Sequence, residues 1–348
     1  MVEGTGTLRA RAAALSGQPA AVIGALVLLL AALVIAAALT GAYPISAGEA
    51  MAAIGRLLTG RVGEGQIDTV LFEVRLPRVL AAVLVGAALA AAGAAYQGLF
   101  RNPLVSPDIL GVSTGAGLGA VLGIFLSLPV AGIQLAAFAV GLATVGLVYV
   151  VASLVANREP ILVLVLSGVV VGSLAGAAVS LLKILADPYD QLPAIVFWLL
   201  GSLSSIRKGD VWASAPFVLI GLIPLVLLRW RINVLSLGDE EAKALGVEAG
   251  RLRLVVISAA TLITASVVAI SGVIGWVGLV IPHLARMLVG PNFDRLLPTS
   301  MLMGGGYLLL VDTLARTMGR IEVPLGILTA IVGAPFFLWL LVRGRRGW

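Results

Sequence analysis

The 348-residue sequence has no cysteine and a single histidine, His283. The first absence excludes a disulfide framework and a thiolate metal site, and the second excludes a histidine-rich metal cage within one chain. Charge is also scarce: Asp, Glu, Lys and Arg make up 11% of the residues, against 60% hydrophobic ones. With a mean hydropathy of +1.11, a soluble domain of this length would leave too much apolar surface in water. A bilayer removes that constraint, so composition assigns a membrane protein. The net charge of +6 reads as basic residues in cytoplasmic loops, which orient membrane helices, and not as a nucleic-acid surface. Two further absences concern energy. No Asp or Glu falls near the middle of an apolar run, Asp312 coming closest toward one end, so no intramembrane ion relay is indicated. None of Lys183, Lys208 and Lys243 lies in a G-x-x-x-x-G-K-[ST] phosphate loop. A chain with neither device moves a solute uphill only if another protein supplies the energy; a facilitator or channel would share the same absences.

What is present is a series of apolar runs of spanning length. They predict an all-α polytopic bundle of about ten transmembrane helices forming one membrane domain over residues 1–348. The spans cover about 20–40, 78–97, 109–127, 131–156, 160–184, 211–229, 252–271, 276–289, 299–317 and 324–342. Arg9 and Arg11 before the first run imitate a signal peptide. The run is longer than an h-region and other spans follow, so it reads as a retained first helix. Phe197–Leu203 is too short to cross and reads as a half-helix or re-entrant piece.

Ten crossings put both termini on one side. With the N-terminus inside, the inner loops hold the larger share of the 23 basic residues. Arg75, Arg78 and Arg316 then fall on the outer side, against the rule. Glycines recur every four residues: Gly111, Gly115, Gly119 and Gly123 on one face of the third span, Gly168, Gly172 and Gly176 on one face of the fifth. Such faces permit close helix packing, and the latter is also a candidate moving interface.

Between the sixth and seventh spans, Asp239 suits a helix start, Ala242, Ala244 and Leu245 favour helix, and Gly246 suits a helix stop. The segment 237–250 is expected to hold two short helices joined by a glycine. It is either a solvated loop or a docking element whose small residues and acids fit a groove on a cytoplasmic ATPase. Asn102-Pro103 and Pro107-Asp108 favour a rigid turn between the second and third spans, shaping the same cytoplasmic surface. His283, after Pro282, reads as a hydrogen-bonding residue near a helix break.

Four segments carry a resemblance: Arg75-Leu76-Pro77-Arg78 running on through Asn102-Pro103-Leu104 to Ala116, Leu237 to Gly246, Gly275-Trp276-Val277-Gly278 to Arg286, and Glu322-Val323-Pro324-Leu325-Gly326 to Phe337. In this order and spacing, over roughly Arg75 to Arg343, the chain resembles the FecCD-type permeases of type II ABC importers, which take up iron–siderophores, haem and vitamin B12. The resemblance implies a non-enzymatic membrane subunit of an ATP-driven importer in the bacterial cytoplasmic (inner) membrane, with both termini cytoplasmic. It implies a homodimer with the path on its two-fold axis, two copies of a cytoplasmic ABC ATPase that carry ATP and Mg2+, and a periplasmic substrate-binding protein; this chain would bind no cofactor and no metal. Residue by residue, Arg75, Arg78 and Arg316 correspond to exposed arginines that dock the binding protein through bidentate pairs with its carboxylates; the alternative is arginine snorkelling. Leu237, Gly238, Asp239, Glu240, Glu241, Ala242, Lys243, Ala244, Leu245 and Gly246 correspond to the ATPase-coupling segment, and Asn157, Arg158, Glu159 and Pro160 to part of an inner gate. Iron–siderophore or haem is the first expectation for cargo, then vitamin B12, then an oxyanion such as molybdate. A secondary transporter working alone, and an exporter or scaffold, are the readings from other classes.

Overall fold

A computed structural model describes residues 19–41, 43–60, 65–155, 160–319 and 321–343. Among the described residues fourteen α-helices of six or more residues follow one another, with a three-residue one at Gln66–Asp68, and no strand occurs. They are α1 (Pro19–Leu39), α2 (Ala47–Leu58), α3 (Leu76–Leu99), α4 (Val112–Phe125), α5 (Val130–Leu154), α6 (Pro160–Leu185) and α7 (Gln191–Leu199). The second half comprises α8 (Lys208–Leu227), α9 (Arg229–Leu235), α10 (Asp239–Ala244), α11 (Ala249–Ser271), α12 (Val277–Val289), α13 (Phe293–Ala315) and α14 (Leu325–Arg343). Each expected span overlaps one of these helices, the largest difference being at α13, which begins at Phe293 against an expected 299. Six helices among the described residues are long and apolar enough to cross a bilayer on their own account, while α4, α12 and the apolar part of α14 are shorter.

Three helical segments were not expected: α9, α2 and a π-helical stretch before α3. α2 is amphipathic and starts at a capping box, Ser46 accepting from the Glu49 amide while the Glu49 carboxylate accepts from the Ser46 amide. It buries Ala50 and Ala53 against Leu71 and Phe72. A π-helical stretch, Thr69–Arg75, runs directly into α3, so that the helix is continuous from Gln66 to Leu99, 34 residues.

α3 and α11 form the centre, being largely buried. α3 packs on α13, α11 and α12. Small residues set these distances: a Cβ on Gly86 would lie 2.2 Å from the Gly304 carbonyl oxygen, and one on Gly93 1.9 Å from that of Gly278. In a bilayer, where lipid tails are as apolar as leucine, such backbone approach is a main source of helix association. The expected glycine face of α4 packs in the same way on α5, through Gly115, Gly119 and Gly123. The face on α6 divides: a Cβ on Gly168 would meet the Ile109 carbonyl, whereas one on Gly172 or Gly176 would meet nothing within 4 Å.

The outer surface carries an apolar belt, with Leu28, Leu29, Leu174, Leu181, Leu219, Ile223, Ile331 and Leu338 exposed. Ion pairs lie at its two ends. Arg78–Asp312, Arg78–Glu322, Arg56–Asp68 and Lys208–Glu73 mark one, and Arg229–Asp294, Arg253–Asp239 and Arg251–Glu248 the other. These are the Arg78 end and the Asp239 end below.

Candidate functional sites at the two ends of the bundle

At the Arg78 end the three arginines singled out in the sequence come together, but not at the surface. Arg78, one turn into α3, donates from Nε to both Asp312 oxygens at 3.0 and 3.1 Å. Its two Nη atoms donate to the two oxygens of Glu322, each at 2.9 Å. Asp312 is completely buried in α13, and Glu322 lies in the loop before α14 with its side chain 39% exposed. Arg75 donates to the carbonyls of Ala38 (2.9 Å), Leu39 (3.0 Å) and Tyr43. Arg316 donates to the Ala37 carbonyl and lies 3.8 Å from Asp312.

This geometry corrects the expectation of exposed arginines. Arg75 is 4% and Arg78 9% exposed, and the Arg316 side chain 8%. The hydrogen bonds they make go to groups of this chain, although Arg316 Nε has no hydrogen-bond partner. The last carbonyls of a helix have no partner within it. α1 ends without a glycine cap, and Arg75 and Arg316 cap its final turn instead, placing positive charge at the negative end of the helix dipole. α1 otherwise touches the bundle mainly through α13, so these arginines fasten a peripheral helix. Arg78 balances two carboxylates and ties the α13–α14 loop to α3. The signal in the sequence was the carboxylate pair Asp312 and Glu322, whose spacing from Arg316 and Pro324 fits two helix ends facing Arg78.

At the Asp239 end, α10 is a six-residue helix held in a fixed pose. Gly238 precedes it at φ +139°, where a Cβ would meet the Glu241 carboxylate at 2.2 Å. After it, Gly246 lies at φ +78°. The Gly246 amide donates to Lys243 and the Val247 amide to Ala242, and Ala242 and Val247 are both buried. This is a Schellman stop with its apolar contact. Arg253, buried on α11, donates to Asp239 at 2.6 Å. Leu237, Glu240, Glu241, Lys243, Ala244, Leu245 and Gly246 are exposed, while Gly238 and Ala242 are buried and Asp239 half-buried. A groove of about 500 Å³ lies between Asp239, Lys243, Gly246, Val247, Glu248 and Ala249. The expected pair of short helices is thus displaced: the glycine that joins two is Gly238, between α9 and α10, and Gly246 separates α10 from the long α11.

Other sequence readings divide. Asn102 makes the expected turn, its side chain accepting from the Leu104 amide at 2.9 Å. Pro107–Leu110, expected on the same cytoplasmic surface, instead folds into the bundle as a 3-10 turn between α3, α6 and α11. Asp108 there lines a partly open cavity of about 220 Å³ with Ser106, Thr264 and Trp276. It lies beside Ser113 in the first turn of α4, a favourable position for a carboxylate. His283 is buried within α12, directly after Pro282, and no group of three potential metal ligands exists among the described residues. Asn157, Arg158 and Glu159 lie outside the described residues; Pro160 begins α6.

Such a bundle, with a short helix presented at one end and a buried charge cluster at the other, is that of a polytopic α-helical membrane protein. The FecCD transport family matches residues 22–343, and the chain belongs to that family, as a non-enzymatic membrane-spanning subunit. Among its relatives, the molybdate import system permease protein MolB of Haemophilus influenzae is 44% identical over 312 residues, covering 88% of this chain and 91% of the relative. The hemin transport system permease protein HmuU of Yersinia pestis is 38% identical over 338 residues, covering 94% and 97%. Among solved structures, an inward-facing conformation of a putative metal-chelate type ABC transporter superposes with a TM-score of 0.83 at 41% identity, covering 92% of this chain and 98% of that one.

Proposed function

We propose that this chain forms half of the translocation path of an ATP-driven importer, working as a homodimer with two copies of a cytoplasmic ABC ATPase and a periplasmic binding protein. The observation that carries the reading is α10. One face is buried and ion-paired to α11 through Asp239–Arg253, and the other offers two acids, a lysine and a leucine to a partner. A short helix stopped at both ends by glycines moves as a unit, so a push on it passes into α11 at the centre of the bundle. ATP and Mg2+ sit on the partner, and this chain binds neither a cofactor nor a metal. The Asp239 end then faces the cytoplasm of a bacterial inner membrane, with both termini on that side.

The outer-face role of the arginines takes a different form from the sequence expectation. They shape the docking surface from beneath, and the acid that meets the solvent there is Glu322. The open Gly172 and Gly176 on α6 suit close contact with the second copy. The inner gate is assigned to 157–160, the link between α5 and α6.

Iron–siderophore or haem is the proposed cargo, in keeping with the hemin permease relative. A second reading, molybdate, is favoured by the higher identity to the molybdate permease. Proteoliposomes with the ATPase and binding protein, given radiolabelled ferric chelate, haem or molybdate, distinguish them. ATP-dependent uptake of one cargo supports the reading. Uptake that follows a proton gradient without ATP makes the chain a secondary transporter and overturns it.

A further inference from the structure

On the outside of the bundle at the Arg78 end, an apolar groove of about 610 Å³ runs between α3 and α8. Leu76, Leu80, Leu84 and Ala87 line it along α3, with Val211 and Ala215 opposite. From Leu76 to Ala87 the helix rises about 17 Å. That is close to half of the ~30 Å hydrocarbon core, the depth of one leaflet. The mouth is different. Lys208 lies there, ion-paired to Glu73, the two side chains 47% and 55% exposed. Trp212 lines the same mouth and is 77% exposed, as tryptophan is at the headgroup level of membrane proteins. The groove is continuous with the apolar belt, since Leu80 in its wall and Leu219 and Ile220 further along α8 are all exposed.

We infer that this groove is a phospholipid site, holding one acyl chain of a lipid whose headgroup carries both a phosphate and a primary ammonium, as phosphatidylethanolamine does. The depth selects a single-leaflet chain, and the charge pair selects the headgroup. Lys208 and Glu73 sit side by side with opposite sign. Opening their pair lets the phosphate accept from Lys208 and the ammonium donate to Glu73, both charge-assisted hydrogen bonds. A purely anionic headgroup places its charge against Glu73. A trimethylated headgroup has no N–H to give it. The site depends on the membrane embedding alone and not on the cargo or the direction of transport.

The test uses the full-length chain in nanodiscs of phosphatidylethanolamine, phosphatidylcholine or phosphatidylglycerol with matched acyl chains, and lipid retained after detergent extraction is counted by native mass spectrometry. Retention of phosphatidylethanolamine by about tenfold over the other two is expected, the worth of one charged hydrogen bond. Glu73→Gln should erase the preference over phosphatidylcholine while a lipid still binds. Ala215→Trp should fill the groove and abolish retention of all three. If Ala215→Trp does not fold, Lys208→Ala serves in its place and should lower retention of phosphatidylethanolamine specifically. Equal retention of the three lipids overturns the headgroup assignment. Preference for phosphatidylglycerol overturns it too, and would point to the exposed Arg207 beside Lys208. Undiminished retention in a well-folded Ala215→Trp overturns the groove.

Discussion

Replacing Asp312 with Asn keeps the shape of the side chain and removes its charge, leaving Arg78 and Arg316 beside an amide. Asp312 is fully buried and the Arg78 side chain only 10% exposed, so water cannot take over the lost partner. Removing one member of a buried pair costs about 3–5 kcal/mol, mostly because the other charge stays buried. Here the lower end applies, because Arg78 keeps both Nη bonds to Glu322 at 2.9 Å. A loss of about 3 kcal/mol is on the order of a hundredfold in the unfolding equilibrium. Glu322→Gln makes the contrast. Its side chain is 39% exposed, solvent screens the pair, and the expected loss is at most about 1 kcal/mol. The assay is SDS titration of the purified chain in mixed micelles, following helicity, with Arg78→Met, Asp312→Asn and the double variant closing a thermodynamic cycle. Two results would refute the reasoning. One is Asp312→Asn within about 0.5 kcal/mol of the parent, the range of an ordinary surface change. The other is Glu322→Gln costing as much as Asp312→Asn. Either would mean that Arg78 is not held as an internal structural charge, and would return it to the surface role read from the sequence.

Other perturbations probe the glycines and the caps. Gly86→Ala forces a methyl group onto the Gly304 carbonyl at 2.2 Å and should cost at least about 1–3 kcal/mol in the same titration. Gly172→Ala, whose Cβ meets nothing in the chain, should leave that stability within about 0.5 kcal/mol and weaken homodimer cross-linking along α6. Gly246→Ala places a side chain at φ +78°, a strain of about 1–2 kcal/mol, and should lower uptake per ATP hydrolysed, read from paired uptake and phosphate-release rates. The Glu49 carboxyl is held below its usual pKa, first by the Ser46 amide and then by the Ser46 hydroxyl. Its contribution to α2 is therefore complete above the ordinary carboxyl pKa and is lost as pH falls through the lowered value. A spin label at exposed Met51 should gain mobility over that acid range; Glu49→Gln should remove the pH dependence, and Ser46→Ala, which keeps the backbone amide, should only reduce it.

The helices were legible in the sequence because hydropathy over a spanning length records one physical fact, the cost of an unpaired backbone in lipid. The helix–helix contacts were legible in kind, through glycine spacing, but not in identity. Gly86–Gly304 and Gly93–Gly278 join segments far apart in the chain, and no local pattern says which glycine meets which. α2 had a readable start in Ser46-x-x-Glu49, but its 12 residues are too short to show in hydropathy over a spanning length. The π stretch Thr69–Arg75 left no local signal at all.

The arginines show where reading charge from sequence breaks down. A basic residue at the end of a hydrophobic run is consistent with three states: snorkelling to water, docking a partner, or capping a neighbouring helix. Composition and the orientation rule weigh only its side of the membrane, so all three look alike. What separates them is whether carboxylates and orphan carbonyls converge on the same point from elsewhere in the chain. Asp312, Glu322 and the last turn of α1 do converge here, from segments up to 279 residues away. Hence the folded chain holds these arginines internally, Arg78 and Arg316 beside Asp312 and Arg75 on backbone carbonyls. Asp108 is the converse case. Placed by the sequence on a cytoplasmic turn, it enters the bundle because Pro107–Leu110 bends inward and the first turn of α4 offers the carboxylate a favourable end. Ionisable residues near the ends of spans are therefore better assigned by the unsatisfied backbone they can reach than by the side of the membrane on which they fall.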